Sequence, residues 1–534
     1  MGRHAGAHLP AYGEHRMGQQ EPGRLREEAD AGLGAVRSEE WPEALVGALA
    51  FAALLLHPTQ VTVRQWADAL VRVCGTGGRI AELVPSVHVC VSDVLFLLAF
   101  GVWAAAAVAR GQLRRRLSGY PVPLLALLAC ATLSAAPFLK PPALLGGRQF
   151  VFSRAAREFI QMAVLFVCAF VVLADRLGDS AWRRRLTAAF VLACAAAVAV
   201  GLAEYARLRP DAGPAASADA IVSPVSVDAT FGFRGEAAGP HEQVGTLSNR
   251  NVLGAWASLA LPFLWALALC LKGPWALACG LVAVAGQVLL LQGALWLFTC
   301  AAMLGVAYAR GRRAFTVTAV GLFVLWALIF QFAPQQHSAV LLDSLMLRRA
   351  YDRYHTLPVY GEQPAGKAPA VLSEAQGEVW RQQYVEWQAG LQALGRDPLF
   401  GVGLGNYQNN INTYYEARSH PVYNPDGVYN VPKPARNLME PGANSFYLVW
   451  AVETGLAGLF AWLWVWMSGL RKAAHAWRTG AGGLERGLAL GSLAGLCAMA
   501  GGLAFTNYLV RGVGVAVVFL LAAAYAPGQE SQPE

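Results

Sequence analysis

Long apolar runs leave this chain few folds to adopt. Between clusters of charge, stretches of about 17 to 25 residues are almost free of ionisable side chains, the length a helix needs to cross a hydrocarbon layer of roughly 30 Å. Lipid offers backbone N–H and C=O groups no partners, so runs of this kind must be helical. They fall near 41–57, 84–108, 120–138, 158–175, 187–205, 252–271, 275–291, 294–309, 314–331, 443–468, 487–508 and 512–527, with only Gln292 and Gly293 dividing the seventh from the eighth. The expected fold is an all-α polytopic membrane protein of about 12 transmembrane helices, with a large outer loop between helices 9 and 10. Charged residues are only 14% of the 534, against roughly 25% in soluble domains, which argues against a string of soluble units.

Orientation follows from the basic residues of the short loops. With the N-terminus cytoplasmic, the inner loops collect Arg110 with Arg114, Arg115 and Arg116; Arg176 with Arg183, Arg184 and Arg185; Lys272; Arg310, Arg312 and Arg313; and Arg471, Lys472 and Arg478. Both long loops, 206–251 and 332–442, then lie outside and both ends inside. The chain divides into a disordered cytoplasmic tail 1–40, a first bundle 41–331 of about nine helices containing outer loop 206–251, the large loop 332–442, the last three helices in 443–527 and a short cytoplasmic tail 528–534. No short apolar segment with a cleavage site precedes the first span, so no cleaved signal peptide is expected.

The formal charge of +8 is explained by this inward bias, and nucleic acid is not an expected partner. The nine cysteines are scattered, mostly within spans, and form neither a disulfide framework nor a zinc pattern. Phosphate-loop, zinc-protease and nucleophile-elbow motifs are absent from the sequence. No metal or cofactor is expected.

Chemistry is concentrated in the outer loops. The first ends in "GTLSNRNVLG", where Ser248 or Asn249 can cap the sixth span. Arg234, His241, Arg250 and Asn251 are candidates to face an anionic headgroup, although a polar cap with an interfacial anchor explains the same residues. The second loop is about 110 residues, far longer than a connector needs. It holds nine Lys or Arg, ten Asp or Glu and nine Tyr, a near-neutral, aromatic surface suited to sugar rings and equally to a membrane interface. Within it, Trp380, Tyr384, Trp387, Leu391 and Leu394 recur at helical spacing, predicting an amphipathic helix over 376–395 with that face apolar. Gly395 and Asp397–Pro398 stop it. "GVGLGN", Gly401 to Asn406, permits tight turns and close backbone approach. Arg418, His420, Lys433, Arg436 and Glu440 gather before the tenth span, which Asn444 and Glu453 enter. A carboxylate two to three turns inside a span is costly, so Glu453 either serves chemistry or locks helix packing through a hydrogen bond.

Two stretches, "EVWRQQYVEWQAGLQALGRDPLFGVGLGNY" and "ANSFYLVWAVETGLAGLF", together with "GTLSNRNVLGAWASLALP", resemble the O-antigen ligase and polymerase superfamily, the Wzy_C or WaaL-like membrane proteins. The resemblance covers roughly 231–470. It implies a glycosyltransferase, independent of metal and ATP, that takes a glycan from undecaprenyl-pyrophosphate on the periplasmic face of a bacterial inner membrane and joins it to a lipid, a protein or another repeat unit. Other glycan-assembly proteins and membrane lipids are the expected partners, with the acceptor unspecified. This chain has Ala443–Asn444 where relatives commonly carry His-Asn, and "LLLQGALW" where many carry Ser-Arg. Charge for the pyrophosphate would then come from Arg250, Arg349 or Arg353, with Arg234 and Arg418 as further sources, and His420 or Glu453 would orient or deprotonate the acceptor hydroxyl. Arginine suits the pyrophosphate because its planar fork grips two oxygens. The remaining substrate-binding candidates are His241, Asn249, Asn251, Trp380, Trp387, Asn406, Arg436 and Asn444. Rival readings are a polymerase of glycan repeats, a lipid-linked glycan transporter and an inactive relative that serves assembly. A transporter predicts ionisable residues aligned through several spans.

Overall fold

The computed structural model describes residues 41–59, 90–139, 143–145, 149–151, 153–207, 250–290, 293–332, 387–414, 445–505 and 511–526. Helix α1 is Trp41–Thr59, closing in a 3-10 turn from His57. It is followed by α2 Val91–Ala109, the short α3 Leu113–Ser118 and α4 Val122–Ala135. A two-stranded antiparallel hairpin, Ala143–Leu145 with Gln149–Val151, leads to α5 Arg154–Ala163, a π-helical turn Val164–Ala169 and α6 Phe170–Gly178. Then come α7 Ser180–Arg207, α8 Arg250–Cys270, α9 Pro274–Ala285, α10 Gly293–Arg310 and α11 Arg312–Phe332. The stretch between α11 and the next long helix contributes α12 at 387–396 and α13 Tyr407–Asn410. The chain closes with α14 Phe446–Thr479, α15 Gly483–Gly502 and α16 Arg511–Tyr525.

Among the described residues, seven helical stretches are long and apolar enough to cross a membrane: α1, α2, the continuous α5–α6 rod from Ala155, α7, α8, α11 and α14. Shorter apolar helices at Val122–Phe138, Pro274–Leu289, Leu295–Arg310 and Val513–Tyr525 pack among them. Side chains such as Phe323, Leu277 and Phe460, 65–76% exposed, form an apolar outer surface that suits lipid and not water. The protein is thus largely helical and multi-pass in character.

Helix α8 is buried on nearly every face, as a helix apolar all round must be. It lies against α15, α9, α10 and α16. Its contact with α15 depends on glycine at every fourth residue. A Cβ on Gly495 would stand 2.6 Å from the Leu259 carbonyl oxygen, and one on Gly491 would stand 3.0 Å from that of Phe263. Small residues at this spacing let helix backbones touch, which is how helices associate where lipid removes the hydrophobic drive.

The two ends of the bundle differ. At one, Glu43 of α1 pairs with Arg110 after α2 (2.5 Å), Arg116 of α3 (3.1 Å) and Arg176 of α6, while Arg116 reaches Asp175 at 3.5 Å. Nearby in sequence, Arg183 of α7 donates to Glu485 of α15 at 2.6 Å and to the carbonyls of Leu177 and Gly178 that end α6. At the other end, Trp256 of α8 donates through Nε1 to Nε2 of His57 (3.2 Å), and the Phe446 N–H that starts α14 donates to the Leu503 carbonyl that ends α15 (2.9 Å). These contacts group helix starts and ends as alternating passes do.

Candidate functional site

At the end opposite the ion pairs, the "PLFGVGLGN" segment docks into a break in α14. Gly455 has φ 71° and ψ −177°, a conformation essentially confined to glycine. The break releases backbone groups on both sides, which in a membrane protein need partners. The loop supplies them. Val402 and Gly403 donate their N–H groups to the carbonyls of Val452 and Glu453 at 2.8 and 3.0 Å, and the Leu456 N–H donates to the Pro398 carbonyl at 2.8 Å. Ser134, near the end of α4, adds an Oγ–H donation to the Glu453 carbonyl at 2.7 Å. The approach is too close for side chains. A Cβ on Gly455 would meet the Leu399 carbonyl oxygen at 2.1 Å, and one on Gly401, itself at φ +70°, would meet that of Val452 at 2.4 Å.

The helix therefore does not carry Glu453 two to three turns into a continuous span. Glu453 lies at the end of a separate segment, 446–454, and the exposed apolar side chains Phe460, Leu463, Trp464 and Met467 begin only beyond the break. The Glu453 side chain is buried, 1% exposed, and its Oε1 accepts the Tyr407 N–H at 3.2 Å. That bond holds the first turn of α13 and is a packing contact of the kind weighed against chemistry for this residue. Trp450 ties the two halves of α14 by donating from Nε1 to the Gly458 carbonyl across the break at 2.9 Å.

Helix α12 ends at Arg396, next to the predicted stop. Its buried face, however, is Ala389, Gly390 and Ala393, and Leu391 is 61% exposed. Of the expected face, Trp387 and Leu394 pack beside Ala389 and Ala393 and only Leu391 falls outside the contact, because α12 lies tightly on α14. A Cβ on Gly390 would come within 2.8 Å of Leu448, so only small residues fit there. Leu391, Leu399 and Phe400 are left as an exposed apolar group, 52–64% accessible.

Of the candidates from sequence, Glu453, Trp387 and Asn406 come together here. Trp387 is half-buried and tilted against Phe505 with ring centres 6.4 Å apart, and Asn406 sits at the start of α13. Arg250 and Asn251 occupy the first turn of α8, ahead of the Trp256 that meets His57. His420, Arg349, Arg353, Arg234, His241, Asn249, Trp380, Arg418, Arg436 and Asn444 lie outside the described residues.

Three features were not anticipated. One is the helix break itself. Another is His57, whose ring stacks on Phe190 at 5.4 Å with Nδ1 2.5 Å from the Leu54 carbonyl oxygen. A neutral imidazole protonated on Nδ1 satisfies both this bond and that from Trp256. The third is a polar face on α5 made by Arg157, Glu158 and Gln161, with Glu158 and Gln161 only 1% and 5% exposed. The 3-4 spacing of these residues was a readable signal.

Compared with known proteins, the chain matches no family model and no curated protein.

Proposed function

We propose that this protein is a membrane glycan ligase, transferring a glycan from undecaprenyl-pyrophosphate to a lipid or protein acceptor at the outer face of a bacterial inner membrane. The observation that carries the reading is the docking of "PLFGVGLGN" into the break at Glu453–Gly455. The two stretches behind the resemblance to O-antigen ligases and polymerases are distant in sequence yet share one backbone-paired unit. In this reading the chain crosses the membrane about 12 times, with the ion-paired end cytoplasmic by the basic-residue rule and the docked loop periplasmic. The loop holds the glycan region in fixed geometry over the bundle. Arginines at the outer surface, Arg250, Arg349 or Arg353, bind the departing pyrophosphate more tightly as its charge develops, and His420 orients the acceptor hydroxyl. The activated pyrophosphate bond supplies the driving energy, so neither metal nor nucleotide is required. A polymerase joining repeat units would use the same groups and differ only in acceptor.

The test compares carrier-linked and transferred surface glycan in cells with the intact gene, without it, and with His420→Ala or Arg250→Ala. Deletion should leave carrier-linked glycan accumulated and product absent, with the substitutions reducing transfer. Unchanged glycan pools in cells that express the gene would refute the transferase and favour a transport or assembly role.

A further inference from the structure

Helix α5 starts with Ser153 as its cap, the hydroxyl accepting the Ala156 N–H at 3.3 Å. Arg157, Glu158 and Gln161 follow at spacings of one and three residues, so they share a face. Ile160, pointing elsewhere on the same helix, is 48% exposed. The polar face runs from half-buried Arg157 to Gln161 about one turn deeper, where neither carboxamide atom has a protein hydrogen-bond partner. A buried polar atom without a partner is destabilising, and this side chain presents two. The π-helical turn begins three residues later, with the Tyr120 hydroxyl donating to the Phe166 carbonyl at 2.5 Å. Such turns recur at functional sites. Helix α5 packs on α4, the helix whose Ser134 bonds the Glu453 carbonyl, so the polar face belongs to the same end of the bundle as the docked loop.

We propose that Arg157, Glu158 and Gln161 form a subsite for a hydroxyl-rich ligand, a sugar ring. The donor and acceptor inventory selects this class. The Gln161 carboxamide can donate to one hydroxyl and accept from its neighbour, the Glu158 carboxylate accepts from a hydroxyl and the Arg157 guanidinium donates. A phosphate only accepts. It would leave the Gln161 Oε1 unmatched and set its own charge beside the Glu158 carboxylate. The subsite deepens the glycan-transfer reading and rests on it for the ligand's biological identity, while the residues and their chemistry stand apart from it.

The experiment uses the full-length protein in lipid nanodiscs free of sugar detergents, with saturation-transfer NMR of methyl α-glucoside, methyl α-galactoside and methyl N-acetylglucosaminide. The unaltered protein should transfer saturation to at least one glycoside. Gln161→Met, close in shape but without hydrogen-bonding atoms, should weaken that binding about tenfold with the melting midpoint unchanged or raised. Glu158→Gln should weaken it less. Absence of signal from the unaltered protein, equal signal from Gln161→Met, a collapsed melting midpoint in that variant, or displacement of the glycoside by inorganic pyrophosphate would each overturn the subsite. Glycan pools that ignore gene deletion would refute the transferase and leave a measured sugar contact standing.

Discussion

At the end of the bundle that carries Glu43 and Arg176, helices are joined by charged side chains, whereas at the end that carries Glu453 they are joined backbone to backbone. The charged clasp uses long side chains, most of them one-fifth to one-third exposed, and such groups can adjust when a neighbour shifts. The docked loop has no such slack, since its glycines allow carbonyls and N–H groups to meet where a single Cβ would collide. One end tolerates motion and the other fixes geometry. Under the proposed function, a site that holds a large, partly lipid-borne substrate in register calls for the second kind of construction.

The sharpest way to break this contrast is Gly455→Ala. The added Cβ would oppose the Leu399 carbonyl and the φ of 71° would be strained, so a loss above about 3 kcal/mol is expected. Calorimetry in nanodiscs, with limited proteolysis of 387–414, reads both the stability and the release of the loop. Gly401→Ala should act in the same direction, and the double variant should cost less than the sum because both disturb one pairing. Additive losses would mean that the two glycines act separately.

The clasped end should yield less to any single change, with Arg183 the exception. Its side chain is 5% exposed and serves Glu485 together with the two carbonyls that close α6. Arg183→Ala leaves all three short of a partner and should cost about 2–4 kcal/mol. Glu43→Gln, at a more exposed cluster, should cost about 1 kcal/mol and less at high salt. Salt should leave the Gly455→Ala loss unchanged. A salt-dependent loss there would show that charge also holds the docked end.

How much of this could be read from the sequence depends on whether a signal is local. Apolar runs and basic clusters are local, and they anticipated apolar helices and the grouping of Arg110, Arg116 and Arg176 at one end, whereas nothing local marked Glu43 as their partner. The break at Gly455 is not local. "VETGLAG" reads as uninterrupted helix until Pro398–Gly403, some fifty residues earlier, is brought beside it. The apolar face of α12 was legible at Trp387 and Leu394, which pack on the core, and not at Leu391, which is exposed. In a membrane protein a large apolar side chain such as Leu391 can lie outside the protein contact while Ala389, Gly390 and Ala393 make the closest approach. The polar face of α5 was visible as a spacing but was absorbed into a hydropathy block beginning at 158. His57 and Trp256 meet across nearly two hundred residues, and neither neighbourhood announces the other.

Glu453 separates geometry from chemistry at the docked end. Glu453→Ala removes the acceptor for the Tyr407 N–H from a buried position and should cost about 1–3 kcal/mol. Glu453→Gln keeps an oxygen in place and should stay within about 1 kcal/mol of the unaltered protein. If the protein transfers glycan as proposed and the carboxylate only holds α13, the Gln variant transfers glycan normally. A Gln variant that melts normally yet loses transfer would assign the carboxylate a part in the reaction.

The smallest effect is expected at Ser134. Its hydroxyl is the second donor to the Glu453 carbonyl, which already accepts the Gly403 N–H at 3.0 Å. A carbonyl oxygen has two lone pairs, so Ser134→Ala leaves it bonded once and exposes no orphaned donor. The loss should be about 0.5–1 kcal/mol, and amide exchange at Gly403 should remain slow because the loop pairing is retained. If exchange at Gly403 instead accelerates while the fold stays intact, α4 is itself a strut of the docked loop, and the fixed geometry at this end depends on side chains after all.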